Sequence, residues 1–169
     1  RHGGEIWQDY YGQRNAFNLG VAGDTTVHVL WRLQNSDLGR LASPKVAVVN
    51  IGTNNGGVHS VEETVLGIQE IVETLRQELP QAKVLLLAIF PRGETADDPG
   101  RKFNAEVSRR SAQIADGETV HFLDIGSGFL AEDGTISAEV MPDFLHLTEK
   151  GYAIWARGME PKLKELLGE

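Results

Sequence analysis

The run Val46-Ala47-Val48-Val49-Asn50-Ile51, followed at once by Gly52-Thr53-Asn54-Asn55, constrains the fold of this chain more than any other stretch. It is mostly β-branched and apolar, with no alternation of polar residues. That pattern predicts a strand covered on both faces, as in a parallel sheet. Val84 to Phe90 repeats the pattern, and Val120 to Leu123 adds a third strand. Ala16 to Val21 reads as one more short strand, containing Asn18.

Parallel neighbours need crossover segments, and amphipathic helices are predicted where crossovers are required. Ser60 followed by Glu63 is a capping box, and Val61, Val65, Ile68, Val72, Leu75 and Leu79 then recur at helical spacing up to Pro80. Asp98-Pro99 opens a second helix with Phe103, Val107 and Ile114 inward. Thr148 begins the closing helix, with Tyr152, Trp155, Met159, Leu163 and Leu166 on one side and Pro161 predicting a kink or break. Earlier, Glu5 to Tyr11 reads as a short helix stopped by Gly12. Asp24 reads as the cap of another, with Val27, Leu30 and Trp31 on its buried side.

Strand and helix alternate throughout, so the expected class is α/β, a three-layer α/β/α sandwich around a parallel sheet. With 169 residues and no repeat or linker, residues 1–169 are expected to form a single domain. In such sheets ligands sit beyond the carboxyl ends of the strands. The glycine-rich stretches Gly20 to Asp24 and Gly52 to Asn55, with Phe90-Pro91-Arg92-Gly93, each follow a strand there.

The net charge of −8 argues against nucleic acid or an anionic membrane as partner. The absence of cysteine excludes a disulfide framework, thiolate metal sites and a cysteine nucleophile. The longest apolar run is too short to span a bilayer, and no signal-like segment opens the chain. Nothing in the sequence fixes the compartment. The chain begins Arg1-His2-Gly3-Gly4, without methionine, and the expectation is that an upstream piece has been removed or left out.

Asp143 and His146, three residues apart just before a helix, suit an imidazole steered by a carboxylate, which is a general base. A surface or structural histidine is the plainer reading. Gly23 is required wherever a strand-to-helix turn needs positive φ; its functional reading is a backbone N–H donor to an anion at a helix start. Asn54 either braces its own loop or donates its amide to a developing oxyanion. Asn55, beside it, reads as loop structure, and Asn50 as a residue satisfying a backbone group. His28 and His121 read as structural, His2 and His59 have no acid at a comparable spacing, and no metal-ligand set can be assembled around Asp143 and His146.

Taken in order, Asn18-Leu19-Gly20-Val21-Ala22-Gly23-Asp24-Thr25-Thr26, Ile51-Gly52-Thr53-Asn54-Asn55 and Asp143-Phe144-Leu145-His146-Leu147 resemble the SGNH (GDSL-type) hydrolases. Phe90-Pro91-Arg92-Gly93-Glu94 and Gly151-Tyr152 point to the branch of platelet-activating-factor acetylhydrolase subunits and bacterial relatives. The resemblance implies a flavodoxin-like hydrolase fold and a serine esterase acting on short acyl esters of a lipid or a carbohydrate. It implies a triad of serine, His146 and Asp143, an oxyanion hole from Gly23 and Asn54, and no metal or organic cofactor. Members often pair, so a homodimer is an open expectation. One departure stands out. The family's first block, a Gly-Asp-Ser that ends the first strand and carries the nucleophile, does not occur between Arg1 and Glu169. By family spacing it belongs just before Arg1, so the first strand is expected to be missing and the chain as given to be inactive. The alternative is a non-catalytic binding or scaffold module that keeps the fold without the nucleophile.

Overall fold

The computed structural model describes residues 3–40 and 43–169. Its sheet has three parallel strands in the order β1 (Val46–Val49), β2 (Lys83–Leu87) and β3 (Val120–Leu123). The register pairs Val48 with Leu85 and Leu85 with His121. Among the described residues five α-helices surround it: α1 (Gly4–Tyr11), α2 (Thr26–Gln34), α3 (Val61–Glu78), α4 (Pro99–Ser111) and α5 (Glu149–Leu167).

The central strand explains the layering. Successive side chains of a strand point to opposite faces, and in β2 all of Val84, Leu85, Leu86 and Leu87 are buried. Val84 and Leu86 join Ile68, Ile71, Val72 and Val107 from α3 and α4 in one core, with Leu33 of α2. Leu85 and Leu87 join Met159, Leu163 and Leu166 of α5 in another. Helices therefore cover both faces, as expected from the continuous apolar run.

Local start signals hold in detail. Ser60 Oγ accepts from Glu63 N–H at 3.1 Å while Glu63 Oε2 accepts from Ser60 N–H at 2.8 Å. Asp98 Oδ1 accepts from Arg101 N–H at 3.1 Å, with Pro99 as the first helical residue. Thr148 Oγ1 accepts from Gly151 N–H at 3.2 Å.

Four expectations are corrected. Ala16 to Val21 is not a strand; it is exposed, irregular chain without a ladder partner among the described residues. β1 is not covered on both sides: Val48 is 40% exposed, and the strand's edge away from β2 carries no strand among the described residues. Val27 and Trp31 point outward, Trp31 at 63% exposure, and α2 buries Thr26 and Leu33 instead. α1 ends at Tyr11 with Gly12 as its C-cap, as expected, and a separate tight turn then runs through Gly12–Arg14 to Asn15 at φ 52°. Pro161 does not break α5, which continues from Glu149 to Leu167. The missing N–H costs one hydrogen bond, and burial of Met159 and Leu163 on either side of Pro161 keeps the axis on the sheet. Among the described residues no helix is long and apolar enough to cross a membrane.

Candidate active site

The loops after β1 and β2, the segment leading into α2 and the loop before α5 gather at the carboxyl end of the sheet. The last of these is built by burying its two ends. Met141 and Leu147 lie in one apolar cluster with Phe129, Ile136 and Val140. Thr148 closes the base, donating its N–H to Val140 O at 3.0 Å and its hydroxyl to Glu139 O at 2.6 Å. The residues between must loop outward, and the turn they make places Phe144 at φ 57°. A non-glycine residue there costs about 1–2 kcal/mol, and Phe144 is held by packing against the same cluster.

Asp143 and His146 come together on this turn. His146 Nδ1 lies 2.7 Å from Asp143 Oδ2, while Asp143 Oδ1 accepts the backbone N–H of His146 at 2.8 Å and of Leu145 at 3.1 Å. The His146 side chain, followed by its backbone N–H, holds the Asp143 carboxyl down at about 2. The carboxylate is thus an acceptor on every side, so the imidazole proton sits on Nδ1 and Nε2 is free to take another. The side chain of His146 is 77% exposed and borders an open groove of about 620 Å³ that also meets Gly4, Glu5 and Thr148. Gly23 and Asn54 do not line that groove.

Gly23 and Asn54 belong to a second cluster. Gly23 has φ +84°, with no atom near where a Cβ would stand, so conformation rather than crowding calls for glycine there. Asp24 is not the helix cap expected; its carboxylate pairs with Arg32. Capping falls to Thr25, whose N–H donates to His28 Nδ1 at 3.1 Å. His28, read as structural, is therefore the third residue of a capping box, and the Thr25-x-x-His28 spacing was the signal for it. Asn54 Nδ2 donates to Asp24 O at 3.0 Å, which joins the loop after β1 to the residue following Gly23.

The two clusters are linked through the loop after β2. Arg92 Nη1 donates to Thr53 O at 3.2 Å, and the N–H of its neighbour Gly93 donates to Phe144 O at 2.8 Å. Arg101, almost fully buried, holds that loop in turn, donating to Arg92 O at 2.9 Å, Gly134 O at 2.7 Å and Gly93 O. Asn104 Nδ2 donates to Thr53 Oγ1 at 3.0 Å and to Phe90 O at 2.9 Å. A continuous set of hydrogen bonds thus runs from Asp24 through Asn54, Thr53, Arg92 and Gly93 to the turn that bears His146. Sequence reading placed Arg92 at this rim without its bond to Thr53 and missed Arg101 and Asn104, because each acts on groups remote in the chain.

Gly52 is doubly constrained at the site. It has φ +125°, and a Cβ there would stand 2.6 Å from Ile89 Cδ1 and 3.4 Å from Thr64 Cγ2. Gly52→Ala therefore combines backbone strain of about 1–3 kcal/mol with overpacking of similar size. The expected result is a fall in stability of about 3–5 kcal/mol, read as a lower urea midpoint at unchanged slope. A midpoint equal to wild type would show that the turn is not under this constraint.

Comparison with known proteins agrees with this architecture. The profile of the GDSL-like lipase/acylhydrolase family matches residues 2–154. The human platelet-activating factor acetylhydrolase IB subunit alpha1 is 41% identical over 169 residues, covering 99% of this chain and 72% of its own length. The chicken alpha2 subunit is 43% identical over 166 residues, 98% of this chain and 71% of its own. Among solved structures, a putative acylhydrolase from Bacteroides fragilis superposes with a TM-score of 0.78 at 21% identity, over 96% of this chain and 83% of that one. An acetylxylan esterase from Geobacillus stearothermophilus gives 0.73 at 20% identity, over 98% and 78%. These structural likenesses speak to the fold.

Proposed function

The chain belongs to the GDSL-like lipase/acylhydrolase family and is a hydrolase of that family, and from this premise we propose that it serves a serine esterase cleaving short acyl esters, acetyl above all, of a lipid or a carbohydrate. The observation that carries the reading is the pair formed by Asp143 Oδ2 and His146 Nδ1 at 2.7 Å on an outward turn. Nε2 of His146 takes the proton of a serine hydroxyl as that oxygen attacks the ester carbonyl. The imidazolium is steadied by Asp143 and returns the proton to the leaving alcohol. Water, deprotonated by the same nitrogen, then releases the acyl group from the serine.

The tetrahedral oxyanion formed in each half-reaction needs donors already in place. In this reading they are the Gly23 N–H and the second amide proton of Asn54, the first being donated to Asp24 O. The serine comes from the family's Gly-Asp-Ser block, outside Arg1–Glu169. A parallel strand bearing it would lie against the open edge of β1, beside exposed Val48. The substrate is a small ester; no metal or organic cofactor takes part. The acetyl preference draws on the relatives' names, platelet-activating factor acetylhydrolase and acetylxylan esterase.

The test uses p-nitrophenyl acetate and the protein including the segment that carries the Gly-Asp-Ser block. Asn54→Ala is expected to lower kcat by about 10²–10³ with little change in KM, as when one oxyanion donor is lost. Unchanged kcat would remove Asn54 from the oxyanion hole. Hydrolysis by residues 1–169 alone would show that the nucleophile is a different residue.

A further inference from the structure

Asn54 has an asparagine neighbour whose side chain makes no use of solvent. Asn55 is 0% exposed. Its Oδ1 accepts the backbone N–H of Thr26 at 3.1 Å, and its Nδ2 donates to Thr26 Oγ1 at 2.8 Å. Thr26 is itself 2% exposed and opens α2, two residues after Asp24. It is wedged on its far side, since a Cβ at Gly67 of α3 would stand 2.5 Å from Thr26 Oγ1. Thr26 is thus a fixed post against α3, and Asn55 grips it with both ends of its amide.

Two adjacent residues therefore stitch one loop to one segment at two points, Asn54 to Asp24 and Asn55 to Thr26. Their contributions differ in kind. The Asn54 bond is made by the amide that, under the reading above, gives its other proton to the oxyanion, so it orients that group locally. Asn55 makes two bonds to Thr26 in a buried site, with a longer contact from its Nδ2 to His59 Nδ1 at 3.4 Å, and geometry is held most firmly where water is excluded.

We propose that Asn55 is a positioning residue that sets the separation of Gly23 N–H from the Asn54 amide, and so the geometry of the oxyanion hole. The proposal rests on the esterase reading of that hole. Donors bind a developing oxyanion only within a narrow distance range, so loosening this clamp weakens transition-state binding and spares substrate binding. Sequence reading had assigned Asn55 to loop structure, which is correct as to its place and silent as to this role.

The test compares steady-state hydrolysis of p-nitrophenyl acetate by wild type, Asn55→Ala, Thr26→Val, Thr26→Ser and the double variant Asn55→Ala/Thr26→Val, each in the protein that includes the segment carrying the Gly-Asp-Ser block. All are assayed well below the unfolding midpoint of each. Asn55→Ala is expected to lower kcat about 10- to 100-fold, less than loss of the donor itself, with KM within about twofold. Thr26→Val is expected to lose part of the same activity and Thr26→Ser, which keeps the hydroxyl, to recover it. The double variant should match Asn55→Ala, since both remove one interaction. A folded Asn55→Ala with wild-type kcat overturns the proposal, as does a loss shared equally between kcat and KM or additive losses in the double variant. If wild type hydrolyses no short ester, the esterase reading has failed first and takes this inference with it. An active wild type with an indifferent Asn55 overturns the inference alone.

Discussion

Replacing His146 with alanine is expected to abolish measurable turnover of a short-chain ester, with kcat falling by about 10⁶, the size seen when the base of another serine hydrolase is removed. The reason is that neither of the other groups described at the site, Asp143 and His28, can take its place. Asp143 is held at about 2 and is far too weak a base, and His28 is committed to the cap of α2. Because the His146 side chain is 77% exposed and borders an open groove, free imidazole can reach the place it leaves. Added imidazole is expected to restore a fraction of activity to His146→Ala and none to wild type. Hydrolysis by His146→Ala at the wild-type rate would sink the triad assignment altogether.

Asp143→Asn is expected to lower kcat by about 10⁴ while leaving the turn folded. The asparagine carbonyl can still accept the N–H groups of Leu145 and His146, which now hold Asp143 Oδ1. Its NH₂ then faces His146 Nδ1, where a carboxylate oxygen stood. An NH₂ can only donate, so the imidazole must carry its proton on Nε2, the nitrogen required to be bare. The base is present but in the wrong tautomer. A loss of less than tenfold would mean that another group orients the ring. The same contacts set the acid limit of the turn. Since the folded carboxyl is held below its ordinary 3.8, its contribution is complete above that value and is lost as pH falls towards about 2. Backbone exchange at Leu145 and His146 should accelerate over that interval.

Features decided within four residues were legible from the sequence. Ser60 with Glu63, Asp98 with Pro99 and Thr148 with Gly151 are contacts along one chain segment, so residue types and spacing suffice to announce them. The same holds for Asp143 with His146, whose bond needs only the turn between them. The parallel sheet was legible too, because Val84 to Leu87 of β2, buried on both faces, can use no polar residue. Membership of the family followed from motifs in order, which is again a linear property.

Tertiary structure decided what depends on a partner distant in sequence. Ala16 to Val21 has strand composition, yet a strand exists only where a neighbour takes its hydrogen bonds, and no such neighbour stands beside it among the described residues. Trp31 and Val48 are exposed for the same reason: apolar character states a preference for burial, and only packing supplies the cover. Whether Pro161 breaks a helix depends on how firmly Met159 and Leu163 are held. The rim itself is of this kind, since Asn54 meets Asp24, Arg92 meets Thr53 and Gly93 meets Phe144 across gaps of 30 residues or more. Sequence alone named the groups that are candidates for the chemistry; only the fold, by closing those gaps, tied together the loops that bear them.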